Sequence, residues 1–343
     1  MAPSSRLPGL EVRDFASRNE REVIELLQSC LPGWRRPEAR DLFRWKHLAS
    51  PFGPSRVHLA FADGRLIGVG ARVHWVLRFD GRQYLAGRQG DVAVHPAYRR
   101  RGVGTALASR DVQTAQDDGL DLHFHHGNDD SEQLVRSTGR APGGRPTMHL
   151  APLRPIRLLG WWLRKSSRPP DCSGLMPMAD VLDDRRAVSD LLERAEPRGR
   201  LVTARSLDYL RWRYSEFPGR SYVATYLRDA RGRLRGMLVG RCVDQVGDET
   251  LGYFEVSEVI ADECDGTGLS KLLRRAWQVN APYAAAVLPP AALQRRWQPL
   301  LAGFPIARQR GLNFGAQALA EDIPVDLSDL RNWMLPLGDL EAF

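Results

Sequence analysis

The sequence predicts an α/β fold of the α+β kind, built as two tandem domains of one plan. Three observations predict it. The chain has 343 residues, enough for two domains of ordinary size, each with its own core. A run of helix, Pro/Gly break, strand, turn and strand occurs twice. In the first half, a strand, a glycine loop and a helix follow one another in the order that seats anions at a helix start.

The repeat is legible residue by residue. Leu42-Phe43-Arg44-Trp45-Lys46-His47 precedes Pro51, Gly53 and Pro54, then strand-like Val57 to Ala62, the turn Asp63-Gly64-Arg65 and a strand from Leu66. Tyr209-Leu210-Arg211-Trp212-Arg213-Tyr214 precedes Pro218-Gly219, then strand-like Tyr222 to Leu227, the turn Ala230-Arg231-Gly232-Arg233 and a strand from Leu234. A glycine follows each turn, at Gly68 and Gly236. The shared order over about thirty residues marks an internal repeat. Trp45 and Trp212, common to both copies, are expected as core anchors.

Each copy opens on a helix. Ser17 and Glu20 are spaced as a capping box, and Val23, Ile24, Leu26 and Leu27 form an apolar stripe. Val181, Leu182, Val188, Leu191 and Leu192 repeat the stripe, with Pro197 and Gly199 as its stop. The expected boundaries are a first domain over 1–150, with Thr147 to Leu150 as its last strand, a linker over 151–172, and a second domain over 173–343. The linker sets Trp161 and Trp162 beside Arg154, Arg157, Arg164 and Lys165. A membrane-surface segment is one reading of it. The shortness of the apolar stretch favours a linker that packs its tryptophans onto a domain, and no membrane partner is expected.

Composition narrows the class. Apolar residues make up 43% and charged residues 26%, the balance of a soluble globular protein. No apolar run approaches the ~20 residues of a membrane span. Met1 to Leu10 lacks a signal-peptide pattern, so a cytoplasmic location is expected. Cys30, Cys172, Cys242 and Cys264 are far apart in sequence, and no metal is expected. The net charge of +8 suits a polyanionic partner, although a genome that prefers arginine explains it as well. No nucleic-acid-binding motif is present.

The anion loop is the most specific signal. Gln89 to Val94 reads as a strand. His95-Pro96-Ala97-Tyr98 interrupts it, Arg99-Arg100-Arg101-Gly102-Val103-Gly104 follows, and a helix runs from Thr105 to about Gln116. A helix start exposes unpaired amides and a partial positive charge. Glycines allow close approach, and arginines add donors for phosphate oxygens. The loop has neither the Lys-Ser/Thr of a Walker loop nor the glycine spacing of a dinucleotide fingerprint.

Val94-His95-Pro96-Ala97-Tyr98-Arg99-Arg100-Arg101-Gly102-Val103-Gly104-Thr105 resembles the central motif of the GNAT acyltransferase superfamily. The resemblance implies two GNAT-like domains, each a mixed, mostly antiparallel sheet. It implies acetyl-CoA or another acyl-CoA as co-substrate, with Val92, Ala93 and Val94 along the pantetheine arm. Arg99, Arg100, Arg101, Gly102, Val103, Gly104 and Thr105 would hold the pyrophosphate, and Asn128 would lie near the cofactor or cap a turn. The second copy keeps Gly266 and Gly268 but sets Asp262, Glu263 and Asp265 where the arginines stood. Acidic groups repel a pyrophosphate, so the second copy is expected not to bind CoA.

The chemistry expected is N-acyl transfer to an amine on a small molecule or peptide. Asp91 is a candidate base, with a structural pairing to Arg88 or Arg72 as the equal alternative. His125 and His126, at the end of the fifth strand, are the other candidates. Many superfamily members donate the thiolate's proton from a tyrosine; the matching position here is Val135, four residues before Gly139. An aminoacyl-tRNA or carrier-bound donor, or a sensor that only binds acetyl-CoA, are the rival readings.

Overall fold

The computed structural model describes residues 7–127, 141–164, 169–244, 251–262, 266–288, 303–309 and 313–340. The chain divides into two compact units, the first over 1–144 and 311–332, the second over 145–310 and 333–341. Both are mixed sheets carrying helices, as the repeat predicts.

The first unit contains β1 (Glu11–Asp14), α1 (Glu20–Cys30), α2 (Ala39–His47), β2 (Arg56–Ala62), β3 (Arg65–Phe79), β4 (Arg82–Val94), α3 (Val103–Asp117), β5 (Leu122–Gly127) and β6 (Ala141–Gly144). Two-residue turns close its hairpins. Asp63-Gly64 joins β2 to β3 and Asp80-Gly81 joins β3 to β4, all four residues having positive φ. Asp-Gly is the pair such turns demand, because their twist matches that of the strands they connect. α1 buries Val23, Ile24, Leu26 and Leu27 as predicted. The capping box does not form: Ser17 begins a 3-10 turn, and the Glu20 carboxylate instead accepts from Arg40 and Arg44 of α2. A charged partner outcompetes a backbone amide for that carboxylate.

The second unit contains β7 (Thr147–Ala151), α4 (Pro155–Arg164), β8 (Met176–Pro177), α5 (Met178–Leu182), α6 (Arg185–Arg194), β9 (Leu201–Thr203), α7 (Leu207–Tyr214), β10 (Val223–Arg228), β11 (Leu234–Val243), β12 (Tyr253–Ala261), α8 (Gly266–Arg274), β13 (Ala284–Ala286) and β14 (Ile306–Gln309). The stripe read as one helix is two, broken where Asp184 caps α6 by accepting from the Ala187 amide at 3.2 Å. Trp45 and Trp212 are both buried, as expected of core anchors.

The sheet orders revise the expected boundaries. In the first sheet β1, β2, β3, β4 and β5 lie in sequence, followed by β15 (Asn313–Ala318) and then β6. In the second the order is β14, β7, β13, β12, β11, β10, β8. Thr147 to Leu150, expected as the last strand of the first domain, therefore lies in β7 of the second sheet, between β13 and β14. The corresponding place in the first sheet, between β5 and β6, is taken by β15 from the far end of the chain. Only Arg145 and Pro146 separate β6 from β7. Proline's fixed negative φ excludes a type I′ hairpin there. The expected linker also holds α4, and Trp162 on it is 66% exposed rather than packed. The remaining short elements are β16 (Trp333–Met334), paired with β9, and α9 (Leu337–Leu340).

Candidate active site

The site grows from β4. The β3–β4 ladder runs evenly from Phe79 opposite Arg82 to Arg72 opposite Gln89, then resumes with Gly70 opposite Val92. Gly90 and Asp91 thus share the space facing Ala71, which is a β-bulge. A side chain at Gly90 would sit 3.2 Å from the Ala71 carbonyl oxygen. The parallel ladder between β4 and β5 ends just before the bulge, at Arg88 opposite Phe124. Beyond it, His125, His126 and Gly127 pair with Gly315, Phe314 and Asn313 of β15. β4 and β5 therefore part company where β4 enters its last residues.

The loop after β4 turns the chain into α3. The His95 amide donates to the Ile67 carbonyl at 2.9 Å, and Pro96–Tyr98 form a 3-10 turn. Arg100 and Gly102 both adopt left-handed backbone, at φ 60° and 80°. Gly102 is the N-cap of α3 and has no side chain to satisfy the helix start. The first helical bond is from the Ala106 amide to the Gly102 carbonyl at 2.9 Å, so the amides of Gly102, Val103, Gly104 and Thr105 precede it. Arg99, Arg100 and Arg101 are exposed around them. Arg99 Nε donates to the Val94 carbonyl, and the Arg101 guanidinium lies 5.9 Å from the Tyr98 ring centre. The arrangement is an electropositive, glycine-lined helix start, as the motif predicts.

Small residues on β3 let α3 come close. A Cβ at Gly68 would lie 2.9 Å from Val103 Cγ1 and 3.2 Å from Leu107 Cδ1. The far end of α3 is tied down by charge: Arg72, fully buried, donates to the Asp111 carbonyl at 2.6 Å, to Asp111 Oδ1 at 2.8 Å and to Asp118. Between strands and helix a shallow groove is lined by Gly70, Gln89, Val92, Gly104, Leu107 and Ala108, among others. Val92 and Gly104 line it. Ala93 and Val103 turn their side chains into the core and offer only main chain. Asn128, Val135 and Gly139 lie outside the described residues.

Asp91 has a different occupation from the base role expected for it. Its Oδ1 accepts from Trp34 Nε1 at 3.0 Å, and its Oδ2 meets Lys46 Nζ at 2.7 Å and His47 Nε2 at 3.0 Å. Burial pushes this carboxyl up, but the Lys46 charge and the bonds from His47 and Lys46 outweigh it and hold it well below the usual carboxylate range. The His47 pKa is lowered, chiefly by burial. A carboxylate so stabilised is a weak proton acceptor near neutrality. The partners are not the expected arginines: Arg72 goes to α3, and Arg88 Nη2 lies 2.9 Å from His126 Nε2.

The second unit repeats this device. Gly68 pairs with Val94 and Gly236 with Ala261, so by register Glu258 of β12 is the counterpart of Asp91 of β4 in the repeat. Glu258 is fully buried and sits at a break in the β11–β12 register. Tyr214, the last residue of α7, donates to it at 3.4 Å, as His47, the last residue of α2, meets Asp91. Arg205 Nη2 lies 2.9 Å from Glu258 Oε1, while burial keeps the carboxyl above its ordinary range. A Cβ at Gly236 would sit 3.1 Å from Leu272 of α8, repeating the close approach at Gly68. The acid that stands in for the arginines is also spoken for, since Asp262 pairs with Arg194 and Arg235. Sequence reasoning missed Trp34, Lys46 and Glu258; the position shared by His47 and Tyr214 in the repeat was the available signal. Among the described residues no group of His, Cys, Asp or Glu is placed to hold a metal.

Comparison with known proteins places this geometry. Residues 11–129 match the family model described as acetyltransferase (GNAT) domain. A mycothiol acetyltransferase of Nocardiopsis dassonvillei is 36% identical over 98 residues, covering 29% of this chain and 27% of that protein. A solved structure from Enterococcus faecalis, described as a probable N-acyltransferase, aligns with a TM-score of 0.65 at 14% identity over 91% of this chain and 73% of that one. N-myristoyltransferase of Saccharomyces cerevisiae, solved with bound myristoyl-CoA, aligns with a TM-score of 0.59 at 13% identity over 92% and 79%. The chain thus carries, in residues 11–129, an acetyltransferase domain of the GNAT family.

Proposed function

We propose that this protein moves an acyl group, acetyl in the first instance, from acyl-CoA to an amine on a small molecule or peptide, and that its first unit alone holds the CoA. The observation that carries the reading is the left-handed turn at Gly102, which aims a ring of helix-start amides and three exposed arginines at the mouth of the groove between β4 and α3. A pantetheine arm would run along the groove lined by Val92, Leu107 and Ala108, and a pyrophosphate suits the amides of Gly102 to Thr105. When bound, acyl-CoA supplies an activated thioester carbon.

This chain's own groups do the rest. Arg99, Arg100 and Arg101 neutralise the phosphates. The bulge at Gly90 and Asp91 turns β4 main chain toward the parting of β4 and β5, where a developing oxyanion meets backbone donors. Asp91 pins that bulge to α2 and takes no proton. The amine's proton passes to an imidazole at the end of β5, His125 or His126, a side-chain type suited to general-base work. Arg88 beside His126 Nε2 favours the tautomer with its proton on Nδ1, which makes His125 the first choice. The mycothiol acetyltransferase relative supports acetyl as the group moved.

Calorimetry of the full chain with acetyl-CoA is expected to show one site, and mass spectrometry of an amine library with acetyl-CoA is expected to show a product 42 Da heavier than its amine, the ~42 Da of an acetyl group replacing a proton. His125→Gln is expected to lower turnover by about 10²-fold or more and to abolish the acidic limb of the pH–rate profile. Two equal CoA sites would overturn the assignment of binding to the first unit.

A further inference from the structure

We propose that α4 is a docking face for an anionic lipid surface, and that the protein binds such membranes peripherally through it. On this helix Ile156 is 86% exposed, Leu159 56%, Trp162 66% and Leu163 63%, the four most exposed large apolar side chains among the described residues. Residues 156, 159 and 163 recur at helical spacing and so form one stripe, with Trp162 beside it. Four such residues on one face of one helix make a contiguous apolar patch, unlike scattered single exposures.

The helix is held, so the stripe has a fixed outlook. The Arg154 amide donates to the Pro282 carbonyl at 3.0 Å, and Arg154 Nη2 reaches the Trp277 carbonyl. Arg157 Nη1 donates to the Asn280 carbonyl at 2.7 Å and to Asn280 Oδ1 at 2.9 Å. These arginines fasten one side of the helix to the second unit and leave the apolar side outward.

Charge decides what covers it. From Ala151 to Pro170 the sequence has five basic residues, Arg154, Arg157, Arg164, Lys165 and Arg168, and no acidic one. A second copy of the chain would bring the same positive stretch against it, and like charges across an interface oppose association. A bilayer with anionic headgroups complements both features: it takes the apolar stripe into its acyl boundary, is attracted by the net positive charge of the stretch's sequence, and accommodates tryptophan at headgroup level. At about 1.5 Å per residue the helix is far too short to cross a bilayer and would lie in the plane of the surface. This reading replaces the expectation that the segment is a linker with packed tryptophans and no membrane partner. It is independent of the acyl-transfer reading, since no residue of the anion loop takes part.

The test is flotation of the full chain with vesicles of phosphatidylglycerol and phosphatidylcholine mixed, and of phosphatidylcholine alone, at low and high salt. Binding is expected to the mixed vesicles, weaker at high salt, and not to phosphatidylcholine alone. The double variant Leu159→Gln with Leu163→Gln is expected to bind about tenfold less or weaker still, with circular dichroism and acetyl-CoA affinity unchanged. Equal flotation of variant and wild type would overturn the proposal. So would flotation with neither vesicle. Concentration-dependent dimerisation in sedimentation, abolished by the same variant, would show that a second copy covers the stripe instead.

Discussion

Lys46 and His47 are neighbours on the last turn of α2, yet both reach the same oxygen of Asp91. Helix neighbours point about 100° apart, so only an acid lying over the helix end is met by both. Trp34 completes the set from the loop between α1 and α2 and stacks on His47, with ring centres 6.3 Å apart. The recurrence of a buried acid tied to a helix end at Glu258 and Tyr214 argues that the tie is architecture, since it persists where the arginine loop does not. Asp91→Asn is therefore expected to cost about 3–5 kcal/mol, because it leaves the Lys46 charge buried without a countercharge. Residual activity is expected to keep its acidic limb; loss of that limb would return Asp91 to the proton path. The pH dependence of folding has a definite sign. Asp91 is held below its unfolded value, so its contribution is complete above about pH 4 and is lost as pH falls further. His47 is lowered by burial and stays neutral in the folded chain, so stability declines already as pH falls below about 6.5. Thermal melts of wild type and Asp91→Asn across pH 3–8 are expected to differ most above pH 4, and identical curves would remove the ion pair from the ledger of stability.

At the scale of elements, the placement of α3 decides whether the proposed anion loop works. Gly68 admits its first turns, Arg72 and Asp118 hold its last, and Gly102 supplies the left-handed entry. Gly104→Val is expected to fill the groove mouth, leaving the protein folded while acetyl-CoA affinity falls at least about tenfold in calorimetry. Gly236→Ala crowds the Ile260 carbonyl and Leu272 in the second unit. It is expected to lower the melting temperature and leave that affinity untouched. The reverse pattern would mean that the second unit holds the cofactor. Much of this level was legible in the sequence, because its signals are local. Asp63-Gly64 names its own hairpin, the apolar stripe names α1, and a glycine after three arginines names the start of α3. What was not legible depends on partners distant in sequence. Ser17 and Glu20 have the spacing of a capping box, but two arginines twenty and more residues away take the glutamate. Asp91 was readable as buried and charged; Trp34 and Lys46 as its partners were not, since they are 57 and 45 residues away.

For the whole molecule, the feature of most consequence is the exchange of β7 and β15 between the sheets. Tandem repeats invite a division at the end of the first copy, and residues 1–150 look like a complete domain by composition and pattern. The pairing says otherwise: the side of β5 that carries His125 and His126 is covered by Asn313 to Ala318. Residues 1–144 expressed alone are expected to aggregate or to fail to bind acetyl-CoA, because an uncovered central strand pairs with whatever it meets. Adding 145–343 in the same cell is expected to restore binding, and full affinity in 1–144 alone would show that β15 is dispensable. The same topology bears on how the chain is made. Synthesis runs from the N-terminus at about 5–20 residues per second, and the ribosome passes the anion loop long before it reaches Ala318. During that interval, some ten seconds or more at that rate, the first sheet has its hairpins but lacks the strand between β5 and β6. Folding of the nominal first domain is thereby deferred until Asn313 to Ala318 have been made. Contacts spanning nearly two hundred residues between β5 and β15 also make the last step slow by loop-closure entropy. A nascent chain of this protein is exposed to chaperones and proteases for longer than two independent domains of the same size would be.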